Sequence, residues 1–513
     1  MNPFSRILPM AQSASGANDK PAAATPTLVT AFIDGGFVPG GNGHVIPVFY
    51  PGTGQIVSQL HESDEREVDK AVRSARAAFD SGPWPRLAIE ERQAVLQAIH
   101  DAILAHDEEL AYLECLNTGI VMREVRQRHI RRAAYNFKFF SEVISQQPGE
   151  VWTQNRDYLT FVTREPAGVA ALIAPWNAPL ALASMKIAAA IAFGNTCVLK
   201  PSEQTPLSLA RLVEIIHQAG VPAGVVNLVN GRGGVTGVAL VDHPGIDRVA
   251  FTGGTATGRT IMQAAGKRLK PASVELGGKS ANIIFADADL ERALDGALLG
   301  IFSNNGQQCL AGSRILVEEP IFDDFVEAFV ARARKLKIGD PMADDTELGP
   351  IASARHREHI LSYVDIAQSQ GAKLLTGGKA IEGDGYFMEP TAVLAADNAS
   401  RVCQEEIFGP FAAFLKFSGR EQAAALANES QFGLVGYAWT QNLDTALWIS
   451  RNVRTGLMWV NTPLMRELRA PFGGIKDSGI GRDGAAASRD FFTDEKTVTI
   501  PVGDVPLRKL GMG

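Results

Sequence analysis

The stretch VAALIAPWNAPLALASMKIAAAIAFGNTCVLKPSE, Val169 to Glu203, decides the fold. It opens on a short apolar run, Val169 to Ala174, and closes on a second, Thr196 to Lys200, with a stretch of helical length between them. Two β-rich runs joined by a helix are the pattern of a parallel βαβ unit. From Ala167 to Met185 the chain carries no charge over a length able to span a bilayer. Pro175, Asn177 and Pro179 interrupt that stretch, however, so it reads as buried globular core.

Further β-rich runs follow at Val225 to Val229, Arg248 to Thr252 and Ser273 to Glu275, again separated by helical stretches. A second alternating region begins with Ala281 to Phe285. It continues through a helix from Leu290 to Asn304 and a strand from Arg314 to Val317, and ends near Gly474. Upstream, Val68, Val72, Ala75 and Phe79 recur at helical spacing between Asp64 and Asp80, and a second helical run covers Ile89 to Leu116. The chain is therefore α/β, with two α/β domains. The segments Val151 to Arg164 and Thr497 to Val502 alternate like strands but belong to neither sheet by sequence order, as an exchanged β-arm would.

With 513 residues, 20% charged and 46% hydrophobic, the chain can bury more than one core, which excludes disorder of the whole. A formal charge of -7 leaves no basic footprint for a phosphate backbone, so nucleic acid is not an expected partner. Four cysteines, Cys115, Cys197, Cys309 and Cys403, show neither a disulfide framework nor zinc-ligand spacing, and a reducing, cytoplasmic setting is expected. The first 28 residues, rich in Ala, Ser and Pro, lack the compact apolar core of a secretory signal and read as a disordered tail. No internal repeat is present.

Glycines cluster at two strand-to-helix junctions, Asn230 to Gly237 (NGRGGVTG) and Phe251 to Gly258 (FTGGTATG), where backbone can approach a phosphate at a helix N-terminus. Neither is a true GxGxxG, and a plain structural turn explains either one equally well. LKPSE places Lys200 and Glu203 at the carboxyl edge of the sheet, where open α/β folds bind ligands. Cys309 lies in a polar, glycine-bearing loop (NNGQQCLAGSR), whereas Cys115 and Cys197 sit in apolar runs. A lone cysteine is usually structural, so Cys309 needs an acid/base partner to count as a nucleophile. Glu275, ending a strand before Gly277 and Gly278, is the candidate. The one close histidine pair, His356 and His359, falls in a charged helix and reads as a solvated face, so no metal site is expected.

PWN (Pro175 to Asn177), LKPSE, FTGGTATG, ELGGKS, GQQC, EEIFGP (Glu405 to Pro410) and PFGG (Pro471 to Gly474) together resemble the ordered motif series of the aldehyde dehydrogenase superfamily. The resemblance covers nearly the whole chain after residue 29. It implies an NAD-binding domain over 29–147 and 167–277, a catalytic domain over 278–477, and an oligomerisation arm over 148–166 and 492–513, assembled as a homodimer or homotetramer. The implied roles are Cys309 as nucleophile, Asn177 as oxyanion donor and Glu275 as the base that releases an acid rather than a CoA thioester. For the cofactor, NAD, it implies Ile173, Trp176, Lys200, Glu203, Gly233, Gly237, Phe251, Gly253, Gly254, Leu276, Glu406 and Phe408. Glu203 would accept from a ribose 2′-hydroxyl and repel a 2′-phosphate. Lys186 and Asp483 form the implied proton path. The family commonly has serine where Gly254 stands and glutamate where Asp483 stands.

Within the superfamily, FTGGTATGR, AGSRI and NTPLMRELRAPFGG are most similar to the hydroxymuconic semialdehyde branch. Arg466 and Arg469, just before Phe472, and Arg132, in HIRRAAYNF, fall where the resemblance implies the substrate entrance. Arginine forks match carboxylates, so the expected small-molecule substrate is a carboxylated semialdehyde. A neutral aromatic or aliphatic aldehyde is the alternative. A non-catalytic NAD-binding relative is opposed by intact Cys309, Glu275 and Asn177, and a thiol esterase would leave both glycine loops idle.

Overall fold

The computed structural model describes residues 27–41 and 43–511. Thr27 and Leu28, within the expected tail, are paired in the strand Thr27–Val29. The rest of that tail lies outside the described residues.

Eight strands form the first sheet. Their order is Gly479–Ile480, Ala272–Glu275, Arg248–Thr252, Val169–Ile173, Thr196–Lys200, Val226–Leu228, Phe32–Ile33 and Gly36–Phe37, and the second to sixth are parallel. VAALI and TCVLK are buried along their whole length, which is why they read as unbroken apolar runs rather than alternating ones. From Val169–Ile173 the chain winds outward through Thr196–Lys200 to Val226–Leu228. It then returns to the other side of the first strand at Arg248–Thr252. The strand order reverses there, and in an open α/β sheet the crevice at such a reversal, beyond the carboxyl ends, is the ligand site. Asn177 and the glycines of FTGG follow directly from the two strands that flank it.

The helix Glu65–Asp80 begins where Asp64 accepts the N–H groups of Arg66 and Glu67, each at 3.0 Å. The expected run from Ile89 to Leu116 is two helices, Ile89–Ala105 and Asp107–Thr118. The break falls at His106, ahead of Asp107, Glu108 and Glu109, which favour a fresh helix N-terminus over a helix interior. Pro179 opens the helix Pro179–Ala192, whose residues from Ala183 to Ala192 are all buried.

Seven strands form the second sheet, in the order Lys373–Thr376, Thr391–Leu394, Phe411–Phe417, Arg314–Glu318, Ala281–Ile284, Val435–Trp439 and Leu457–Val460. Every pair is parallel except the first. Arg314, 1% exposed, starts the strand that follows Cys309 and donates to the carbonyls of Lys279, Leu426 and Ala427 and to Asn398 Oδ1, at 2.8–3.1 Å. Arg314→Ala strands those acceptors in a dry core. Thermal unfolding of this variant should show a loss on the order of 3 kcal/mol or more.

Glu150–Trp152, Tyr158–Pro166 and Thr493–Pro501 make a separate three-stranded arm, its long ladder running in register from Thr493↔Pro166 to Pro501↔Tyr158. Just before the arm, the chain returns to the first sheet. Gly479–Ile480 pairs antiparallel with Ala272–Glu275 and sets Gly479 opposite Glu275. No described helix is long and apolar enough to cross a membrane.

Candidate active site

The helix Leu290–Phe302 ends two residues before its expected end at Asn304, because Asn304 and Asn305 turn left-handed (φ 54° and 55°) and Gly306 follows at φ 72°. Asparagine tolerates that region, and at Gly306 a Cβ would collide with the Gly409 backbone. The turn delivers Gln307, Gln308 and Cys309 to the crevice. Cys309 is half-buried, while Cys115, Cys197 and Cys403 are fully buried, as their apolar surroundings imply. Burial pushes the Cys309 thiol up to about 12, and the charges of Glu406 and Glu275 act in the same direction. The N–H groups of Cys309 and Leu310 oppose them. The resting thiol is therefore protonated and needs an acceptor for its proton.

Glu275 has both carboxylate oxygens buried and, among the described residues, without a hydrogen-bond partner. Burial, then the charge of Asp483, holds its carboxyl well above the ordinary carboxylate range, against the pull of Lys186, Arg466 and Arg482. A buried carboxyl with idle oxygens and a raised proton affinity has the properties of a general base. Lys186 Nζ, 4.0 Å from Asp483 Oδ2, has no hydrogen-bond partner among the described residues. Asp483 exchanges two backbone hydrogen bonds with Phe472, at 2.7 and 2.8 Å, so PFGG and the Lys186–Asp483 pair form one unit.

The Asn177 side chain donates to the Gln307 carbonyl at 2.8 Å. The Asn304 side chain donates to the same carbonyl and to that of Asn177, both at 2.9 Å. The loop after Val169–Ile173 and the cysteine loop are thereby joined.

Arg132 and Arg466 approach each other. Burial lowers each to about 10, and the like charge of Arg132 acts on Arg466. The Arg466 guanidinium lies 3.7 Å above the Phe472 ring centroid, and its Nε is buried without a hydrogen-bond partner among the described residues. Arg469 does not join them. Its side chain is 76% exposed and forks onto Glu467 at 2.7 and 2.8 Å, so its charge is already matched at the surface.

On the nucleotide side, Phe251 and Ile173 are register partners on the strands flanking the crevice, and the Leu276 N–H is bound by Ser478. A Cβ built on Gly233 or Gly254 meets nothing within 4 Å, which leaves an open backbone cradle at both glycine junctions. Gly253 lies against the Phe251 ring, and Gly237 against the aliphatic stem of Lys200, whose Nζ stands 3.8 Å from Glu203 Oε2. At the other end, Glu406 accepts the Gly278 N–H at 3.0 Å and packs so closely on Gly277 that a Cβ there would collide with its carboxylate. Burial raises Glu406 to about 7. The Trp176 and Phe408 rings meet edge to face at 5.2 Å.

Two features escape the sequence reading. His356 is not on a solvated face: its ring packs on Trp176 at 5.2 Å, and its Nε2 bonds the Phe408 carbonyl at 2.7 Å. Burial lowers it to about 4, so it is neutral. Glu62, nearly fully buried, accepts the Arg232 N–H, Nε and Nη2 at 2.6–2.9 Å beside Lys200. Arg232 is visible inside NGRGG, whereas Glu62 lies 170 residues away with no local signal. Among the described residues, no group of three or more His, Cys, Asp or Glu is gathered that would hold a metal ion.

A cysteine loop and a buried glutamate facing a glycine-lined crevice of an open α/β sheet define an oxidoreductase built for a nucleotide and a carbonyl compound. The chain belongs to the aldehyde dehydrogenase family, which it matches over residues 37–498. It is 40% identical to the 2-hydroxymuconic semialdehyde dehydrogenase of Pseudomonas sp. (strain CF600), over 91% of this chain and 98% of that one. It is 42% identical to the 5-carboxymethyl-2-hydroxymuconate semialdehyde dehydrogenase of Escherichia coli, over 85% and 94%. The NAD+ complex of an aldehyde dehydrogenase from Bacillus cereus superposes with a TM-score of 0.91 at 39% identity, covering 92% and 96%.

Proposed function

We propose that the protein oxidises a carboxylated, hydroxymuconic-type semialdehyde to its acid with NAD. The carrying observation is the half-buried pair Arg132 and Arg466. Lys186 and Arg482 add two further cations beside the carboxylates Glu275 and Asp483. An anionic substrate end completes that balance, and an arginine fork binds it through charge-assisted hydrogen bonds. The semialdehyde substrates named for the Pseudomonas and Escherichia coli relatives are of this class.

The open backbone at Gly233 and Gly254 fits a pyrophosphate, Lys200 and Glu203 fit a ribose, and Glu406 with Phe408 fits the nicotinamide end. Glu203 favours a free 2′-hydroxyl, hence NAD over NADP. Bound NAD supplies the hydride acceptor. The remaining chemistry belongs to the chain. Cys309 gives its proton to Glu275 and forms a C–S bond to the aldehyde carbon, and the resulting oxyanion is met by the Asn177 amide and the Cys309 N–H. Once the hydride has left, Cys309 carries a thioester. Lys186 and Asp483 pass the Glu275 proton outward, and the freed carboxylate takes a proton from water as hydroxide attacks the thioester carbon. The C–S bond then breaks to give the acid, and the Glu275 proton returns to the sulfur to restore the thiol. The arm, with Val151 59% and Trp152 42% exposed on its outermost strand, fits a second copy of the chain in a dimer or tetramer.

NADH formation followed at 340 nm with a hydroxymuconic-type semialdehyde, benzaldehyde and a short aliphatic aldehyde tests the reading. The anionic substrate should be preferred, with NAD. Arg466→Ala should lower kcat/KM for it by about 100-fold, roughly 3 kcal/mol, and leave benzaldehyde within about threefold. Equal losses on all substrates would sink the carboxylate assignment.

A further inference from the structure

We propose that Glu124 is a positioning residue for the nucleophile: its carboxylate accepts the Asn304 backbone N–H and so fixes the left-handed turn that delivers Cys309. This rests on the reading of Cys309 as the nucleophile. Glu124 ends the short helix Met122–Glu124 and opens a π-helical turn, Val125–Ile130. Its side chain is 13% exposed. Oε2 accepts from the Asn304 N–H at 2.9 Å, and Oε1 accepts from Arg128 Nη1 at 2.6 Å.

The contact matters because of what Asn304 holds. Two non-glycine residues in succession at positive φ are held only by their surroundings. Asn305 is held by its side chain, which donates to the Gly119 and Pro350 carbonyls and accepts the Gly349 N–H at 2.8–3.0 Å. For Asn304 the side chain is spent on holding Asn177 and Gln307 together, and its backbone N–H has Glu124 as partner. The carboxylate therefore anchors the residue that ties the oxyanion amide to the cysteine loop.

The other end of the π-helical turn is also tied down. His129 Nδ1 lies 3.3 Å from Glu114 Oε1, and Glu114 is fully buried. The same Oε1 accepts the Leu180 N–H at 3.1 Å, in the first turn of the helix that follows Asn177. Arg132 comes two residues after the turn ends. One short irregular element thus braces the cysteine loop, the Asn177 loop and the arginine proposed to hold the substrate. π-Helical turns are rare and gather at functional sites.

The test compares Glu124→Ala, Glu124→Asp and Glu124→Gln in the full-length enzyme. Three readouts are taken: the rate of Cys309 alkylation by iodoacetamide at pH 9 without cofactor, located by peptide mass, the NADH burst with saturating NAD and aldehyde, and Tm. Aspartate keeps the charge but is one methylene too short to reach Asn304, whereas glutamine keeps the acceptor. Alanine and aspartate should slow both alkylation and burst by about tenfold or more, with aldehyde KM within about twofold, because a shift of about 1 Å in a reacting group costs this much or more. Glutamine should stay within about twofold of wild type. If alanine fails to fold, the aspartate and glutamine pair decides. Wild-type alkylation and burst in the aspartate variant, with or without a fall in Tm, would overturn the proposal. A wild-type alkylation pattern across the series together with persistent turnover in Cys309→Ala would instead overturn the nucleophile assignment.

Discussion

Cys309→Ala should form no NADH from any aldehyde, a loss of at least about 10⁴ in kcat, while its Tm stays within a few degrees of wild type. The loss is total because neither oxyanion donor has anything to stabilise until a C–S bond exists. The fold is indifferent because the side chain is half-buried in a loop whose shape is set by Asn304, Asn305 and Gly306. Steady-state NADH at 340 nm and differential scanning calorimetry check the two halves. Residual turnover above about 1% would remove the thioester route.

Glu275→Gln should slow both C–S bond formation and thioester release. Steady-state turnover falls by about 10³, the share of rate carried by a positioned general base, and the NADH burst falls with it. The pH dependence follows from the same burial. A base works only when deprotonated, and the Glu275 carboxyl is raised well above the ordinary range, chiefly by burial and then by Asp483. Turnover should therefore climb with pH through neutrality rather than level off near pH 5. Arg482→Ala and Lys186→Ala, by removing cations that oppose this rise, should move the limb to higher pH, and Asp483→Asn should move it lower. A kcat profile flat from pH 5 to 9 would contradict the assignment of Glu275.

The central strands were legible because burial on both faces writes itself as short apolar runs: Thr196–Lys200 and Arg248–Thr252 fall where the composition places them. Glu275 and Cys309 were legible because glycines flank them, and glycine is the mark of a backbone that must bend or admit a neighbour. What stayed hidden is what depends on distance. Apolar periodicity stops at Phe302, and nothing in Ser303 to Asn305 separates a last helical turn from a left-handed one until Gly409 is seen pressed against Gly306. Arg469 and Arg466 read alike in the sequence, and only the neighbouring Glu467 sends one of them to the surface. His356 looked solvated because its partners, Trp176 and Phe408, lie far off along the chain.

The arm carries a consequence for how the chain is made. Tyr158–Pro166 pairs with Thr493–Pro501, and Thr493, the first residue of that partner, lies 327 positions after Pro166. At about 5–20 residues per second on the ribosome, the strand waits roughly 16–65 s with an open edge. Nascent chains on one messenger present that same edge to one another throughout the interval. The charges at its end, Arg164 and Glu165, meet their opposites Glu495 and Lys496 only when that partner strand has been made.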